Sequence, residues 1–232
     1  MLRNTQNIYP PPLPSPESVL LAIENTALVI IDMQNDFCRP DGKSYIGPMV
    51  GPTIPRIRSL LDMARASGMR VIHTQSWHYP DDPRYWTQRH PRASIGVPCC
   101  KADTSGAEIV RELRPTKEEP AIKKDTYDPF FGTEMERVLE RMNFAGFEHD
   151  SAQKNRLRHE FNIVLTGTAS DVCVDKAAFG FFARGYKLII PVDCISTKNE
   201  FGQESALYRF HSFFDAVLTT SKLIEFKALV PR

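Results

Sequence analysis

Apolar residues along this chain fall into two alternating patterns: short continuous runs, and stretches where they recur every three or four positions. The runs predict strands at 26–32 (TALVIID), 69–75 (MRVIHTQ), 121–124 (AIKK), 162–167 (NIVLTG), 187–193 (KLIIPVD) and 216–219 (AVLT). The periodic stretches predict helices at 53–67, 133–142, 171–184, 199–213 and 220–226. In the first of these Ile54, Ile57, Leu60, Leu61 and Ala64 share one face, and Gly68 stops the helix. Strands separated by helices imply βαβ units, so the expected fold is α/β, a three-layer α/β/α sandwich on a mostly parallel six-stranded sheet.

Two segments interrupt the rhythm. Residues 76–106 are long and proline-rich, and 144–160 are highly polar, which suits a surface insertion. The segment 10–16 (PPPLPSP) predicts a polyproline II arm. The expected partition is a Pro-rich arm over 1–20, one domain over 21–228, and a thrombin-site remnant (LVPR) over 229–232.

Composition narrows the function classes. The 232 residues carry 29 basic and 28 acidic side chains, which gives no basic footprint for nucleic acid or a membrane surface. No apolar run approaches the ~20 residues of a membrane span, and the first residues lack the apolar core of a signal peptide. Five cysteines at irregular spacing suit a reducing compartment better than a disulfide framework. The expected location is the cytoplasm.

In open α/β sheets, ligands bind beyond the carboxyl ends of the strands. That rule selects Asp32, the stretch from Gln75 to His78, Lys124, and the stretch from Gly167 to Cys173. An aspartate, a lysine and a cysteine therefore converge on one rim. Cys173 also lies near a predicted helix start, where the helix dipole and a nearby Lys⁺ are expected to lower the thiol pKa.

Three blocks carry a resemblance: TALVIIDMQNDFC (26–38), KKDTYDPFFGT (123–133) and VLTGTASDVCVDKAAFGFFARGY (164–186). Together they resemble the isochorismatase-like cysteine hydrolases, and look nearest the branch that cleaves ureido and carbamoyl compounds. The resemblance implies a Rossmann-like fold and a catalytic triad of Asp32, Lys124 and Cys173. Lysine-to-threonine spacing in the second block, and strand alternation, select Lys124 over Lys123. It further implies a cis peptide at Thr168–Ala169 and an oxyanion hole formed by the N–H groups of Ala169 and Cys173. The implied chemistry is hydrolysis of a C–N bond in a small amide, ureido or carbamoyl substrate through a thioester or thiocarbamate, without cofactor, in a homodimer or homotetramer. Phe37, Trp77, His78 and Tyr127 are the candidate pocket wall.

Alternatives remain at this stage. Isochorismate hydrolysis cleaves a vinyl ether and needs no nucleophilic cysteine. A nicotinamidase is expected to carry Asp-x-His…His metal ligands after the second strand. Here Ser76 takes the Asp position, His78 remains, and Arg84 falls where the last histidine belongs, so no metal site is expected. Cys99, Cys100, His73 and His90 lack zinc-site spacing, and Gly42-Lys43-Ser44 lacks the first P-loop glycine, Phe37 standing there. A non-catalytic oligomeric scaffold that kept the fold is the alternative from outside enzymology.

Overall fold

A computed structural model describes residues 12–79, 99–142 and 160–228. In chain order the strands are β1 (Val19–Ala22), β2 (Thr26–Ile31), β3 (Arg70–Ser76), β4 (Ala121–Lys124), β5 (Asn162–Thr168), β6 (Lys187–Pro191), β7 (Ile195–Ser196), β8 (Val217–Thr219) and β9 (Ile224–Lys227). The α-helices are α1 (Asn35–Cys38), α2 (Val50–Ser67), α3 (Met135–Arg141), α4 (Cys173–Phe182) and α5 (Glu200–Phe214).

The main sheet runs β4-β3-β2-β5-β6-β8 with every pairing parallel. All six residues of central β2 are buried because helices cover both faces. Ala27, Val29 and Ile31 join α3, α4 and α5 in one core, while Leu28 and Ile30 join α2 in the other. This is the α/β sandwich that the alternation of runs implies.

The sheet has seven strands rather than six. β5 pairs with β6 through its first half and with the two-residue β7 at its far end, where Thr168 faces Ser196. β6 leaves β5 to pair with β8, and β7 fills the vacated edge. Two residues are too few to show a period, so the sequence pattern does not reveal it.

The last element is a second correction. Residues 220–226 form no closing helix: a 3₁₀ turn (Ser221–Leu223) leads into β9, which pairs in parallel with β1. Ile224 and Phe226 are more buried than Glu225 and Lys227, a period of two that a four-residue window does not separate from a helical turn. The strand β1 starts inside the expected arm, at Val19, and Leu13 packs on the α4-side core. Glu17 is tied on both sides of its peptide, its N–H to the Leu218 carbonyl and its carbonyl to the Thr219 hydroxyl. Residues 1–11 of the expected arm, 80–98 of the proline-rich segment, all but the last residue of the expected insertion at 144–160, and residues 229–232 lie outside the described residues.

Helix ends follow local chemistry. α2 stops at Gly68, whose left-handed φ of 71° lets its N–H return to the Ala64 and Arg65 carbonyls. α5 starts where the Asn199 side chain accepts the Gly202 N–H at 2.8 Å.

Candidate active site

Three strand ends and one helix start meet at the carboxyl edge of the sheet. On β3, Ile72 faces the α4-side core, so Thr74 and Ser76 point the same way. On β4, Ile122 does likewise, so Lys124 follows it while Lys123 points away. Lys124 is 2% exposed, and the exposed Lys123 places its ammonium 3.5 Å from the centre of the Trp77 ring.

Asp32 breaks the rule of its strand. Alternation would send it to the α2 side with Leu28 and Ile30. Its left-handed backbone (φ 49°) instead sets the carboxylate beside Thr74, Ser76 and Lys124. Gly167, at φ 116°, makes this corner possible, because a Cβ there would overlap the Ile31 carbonyl.

The resulting cluster is buried and tightly connected. Lys124 Nζ lies 2.7 Å from Asp32 Oδ2, 3.3 Å from Ser76 Oγ, 3.0 Å from the Thr126 carbonyl and 3.5 Å from Cys173 Sγ. Asp32 Oδ1 accepts from the Thr74 hydroxyl at 2.6 Å, and Oδ2 from the Ser76 hydroxyl at 3.0 Å. Cys173 is the first residue of α4, and its thiol hydrogen-bonds the Asp32 carboxylate.

Electrostatics corrects one expectation. Burial pushes the Cys173 thiol well above its ordinary value, and the Asp32 charge adds to it; Lys124 pulls the other way and does not prevail. Burial also acts against the Lys124 charge, but the Asp32 carboxylate beside it prevails and holds the ammonium above its ordinary range. The resting pair is therefore a thiol beside an ion pair. The helix start and Lys124 do not produce a standing thiolate, because desolvation of the charged form exceeds both.

The loop before Cys173 is held from outside. The Thr168–Ala169 peptide is cis. Ser170 donates from its N–H to the Ser196 carbonyl at 2.9 Å and from its hydroxyl to Gln203 at 2.7 Å. Asp171 accepts the Thr197 hydroxyl at 2.5 Å.

The four candidate wall residues part company. His78 is buried, its Nδ1 3.4 Å from Asp125, and it feels the charges of Lys124 and Asp32; burial lowers its pKa, keeping the ring neutral. Tyr127 is 40% exposed and follows Thr126, whose carbonyl holds Lys124. Trp77 lies under Lys123 with its indole N–H directed to the Tyr79 hydroxyl at 3.3 Å. Phe37 packs partly buried against the α2-side core, away from the face that carries Lys124.

Sequence reasoning passed over Thr74, Gln34 and Asp36, and took Ser76 as part of the rim stretch and as a missing metal ligand, without its bonds to Asp32 and Lys124. Gln34 clamps the end of β3, donating to the Ser76 and Ala107 carbonyls and accepting the Ser76 N–H, each at 2.8 Å. Asp36 accepts the Cys100 N–H at 2.6 Å and the Lys43 N–H at 3.1 Å, pinning two turns. Polar residues inside the DMQNDFC block, directly after a buried strand, were the available signal. The Ser76 hydroxyl is committed to Asp32 and Lys124, and among the described residues no three or more His, Cys, Asp and Glu side chains are grouped to hold a metal ion. Arg84 and His90 lie outside the described residues.

Residues 26–222 match the isochorismatase domain. The chain belongs to that family. It is 28% identical over 236 residues to ureidoacrylate amidohydrolase RutB of Caulobacter segnis, a match covering 94% of this chain and 92% of that protein. The fold is similar to an isochorismatase family protein from Desulfovibrio vulgaris (TM-score 0.71, 28% identity, 85% of this chain and 95% of that one). It is also similar to N-carbamoylsarcosine amidase from Thermoplasma acidophilum (TM-score 0.66, 24% identity, 85% and 96%). Among the described residues no helix is long and apolar enough to cross a membrane.

Proposed function

We propose that this protein is a cysteine-dependent amidohydrolase that cleaves a C–N bond in a small amide, ureido or carbamoyl compound. The observation that carries the reading is the buried contact of Asp32, Lys124 and Cys173 at the carboxyl ends of the strands. The ureidoacrylate amidohydrolases among its relatives support a ureido substrate.

The chemistry follows from the protonation states. Asp32 takes the Cys173 proton as the sulfur attacks the carbonyl carbon, so the charge that burial disfavours appears only as it is passed to substrate. The oxyanion is assigned to the N–H groups of Ala169 and Cys173, each donor contributing about 3 kcal/mol. As the tetrahedral adduct collapses, the C–N bond breaks and Asp32 returns the proton to the departing amine or ammonia. Asp32 then deprotonates a water, which attacks the thioester or thiocarbamate. The acid product leaves, and the sulfur regains its proton. Lys124 keeps its charge throughout and steadies both the carboxylate and the thiolate.

His78 and Tyr127 are the candidate substrate contacts beside the triad, and Trp77 belongs to the rim. A homodimer or homotetramer is part of the same proposal. Exposed Phe179 and Phe182 on α4 lie against Phe214 on α5, an apolar surface of the kind that marks contacts between subunits.

An ammonia-release screen across ureido acids, carbamoyl amino acids, simple amides and nicotinamide tests the function. The best substrate should be a ureido or carbamoyl compound, turnover should survive chelation, and Cys173→Ala should abolish it. Turnover by Cys173→Ala at a tenth of the wild-type rate, only about 1.4 kcal/mol of barrier, would remove covalent catalysis from the account.

A further inference from the structure

We infer that Thr74 fixes the hydrogen-bonding roles of the two Asp32 oxygens, so that the proton leaving Cys173 is received at Oδ1 and the basicity of that oxygen is set by the Thr74 hydroxyl. The inference rests on the reading of Asp32 as the proton acceptor of Cys173.

The Asp32 N–H lies 3.2 Å from Thr74 Oγ1 and can only donate. Thr74 therefore accepts that bond, and its own proton is directed to Asp32 Oδ1 at 2.6 Å. The hydroxyl is clamped between two atoms of one residue. Oδ2 has a different environment. Lys124 Nζ donates to it at 2.7 Å, and Ser76 Oγ, which accepts from Lys124 at 3.3 Å, donates to it at 3.0 Å. A carboxylate oxygen offers two lone-pair directions. Those of Oδ2 are taken by an ammonium and a hydroxyl, whereas Oδ1 has one taken by Thr74 and one left to receive the thiol proton.

The groups facing Asp32 from the packed elements leave the Asp32–Cys173 pair as the proton exchange. Lys124 on β4 is a permanent cation, and His78 after β3 is held neutral by burial. Cys38 on α1 and Cys100 on the turn before residue 101 also face the Asp32 charge, and burial keeps both as thiols. Proton transfer to Asp32 is then governed by how strongly Oδ1 is stabilised as an anion. A hydrogen bond donated to the charged form lowers its proton affinity. Removing the Thr74 donor raises it, and the thiolate–carboxylic acid form becomes more populated.

Thr74→Val keeps the shape and removes the hydroxyl; Thr74→Ser keeps the donor. The test is the pH dependence of iodoacetamide alkylation at Cys173, read peptide by peptide by mass spectrometry on the full chain. It needs no substrate, so it stays separate from the ammonia-release screen: failure there with success here would remove the hydrolase reading and leave the proton relay. With Thr74→Val, the acid limb of the alkylation profile should move up by about one pH unit, and the neutral plateau should rise several-fold. Thr74→Ser should restore the wild-type limb. Thr74→Ala carries the same expectation as valine and serves if the valine variant does not fold. An unmoved limb in a folded Val or Ala variant overturns the inference. So does a serine variant shifted as far as either.

Discussion

A fully buried thiol placed between one carboxylate and one ammonium is pulled in opposite directions, and here desolvation decides the balance against the thiolate. Cys99, by contrast, is only partly buried, and a hydrogen bond from Cys100 lowers its pKa. Brief iodoacetamide treatment near neutral pH should therefore mark Cys99 before Cys173, with Cys38, whose thiol burial pushes up to about 12, among the slow sites. The reverse order at Cys99 and Cys173 would show that the resting site holds a thiolate after all. The two lysines separate just as sharply. Lys124→Ala strands the Asp32 charge in the interior, so it should cost about 3–5 kcal/mol of stability and lower turnover by orders of magnitude. Lys123→Ala removes only an exposed cation–π contact with Trp77, about 0.5–1 kcal/mol, and should leave turnover near wild type. Denaturant titration and steady-state kinetics on both variants read the contrast. At this scale the lysine choice was legible, because alternation along β4 decides it. The left-handed turn at Asp32 was not, since aspartate follows strands in many conformations and nothing in the chain marks φ. Thr74 and the Ser76 hydroxyl bonds were hidden with it, because a threonine or serine in a buried strand carries no sign of its partner.

Elements position these residues through contacts between segments distant in sequence. Glu119, just before β4, joins α2 to β3: Arg65 grips both its oxygens at 2.7 Å, and His73 Nε2 lies 3.2 Å from Oε2. Burial alone would raise the Glu119 pKa, but the Arg65 and His73 hydrogen bonds prevail and hold the carboxyl below the usual range. A depressed folded-state pKa stabilises the protein above the unfolded value of 4.5 and ceases to do so as pH falls through the folded one. Glu119→Gln should then cost about 2 kcal/mol at neutral pH, and the deficit should shrink as denaturation is measured below pH 4.5. A deficit that stays constant into acid would show that shape, not charge, holds this joint. None of this network was legible, because its members are polar residues without a period. The long helices were legible to within three residues at either end, since their apolar stripes and terminal signals, Gly68 and Asn199, agree. β7 escaped because two residues show no period, and β9 because its alternation over Ile224–Lys227 reads equally well as a helical turn.

Across the whole molecule, the triad and the β1–β9 ribbon lie on opposite faces of the main sheet. The α/β architecture was readable because each buried strand must be an apolar run and each covering helix must be amphipathic. The pairing of β1 with β9 was not readable: it joins Val19 to Ile224 through two short strands that flank the family match at 26–222 on either side. Leu21 and Ile224 of that ribbon enter the core on the α2 side, whereas Lys124 and Cys173 line the α4 side, with the sheet between them. The ribbon therefore packs on the face of the sheet opposite the triad. Ile224 is 3% exposed, so Ile224→Ala should destabilise the fold by about 2–4 kcal/mol through lost burial and the cavity left behind. Turnover per folded molecule should stay within about twofold of wild type, because a sub-kcal/mol change in barrier is all a remote cavity transmits through an intact sheet. Urea unfolding together with kinetics under native conditions measures both quantities on one sample. A large fall in kcat with the fold retained would mean that the ribbon supports the Asp32 corner through β2, whose first residue follows β1 by only a single 3₁₀ turn.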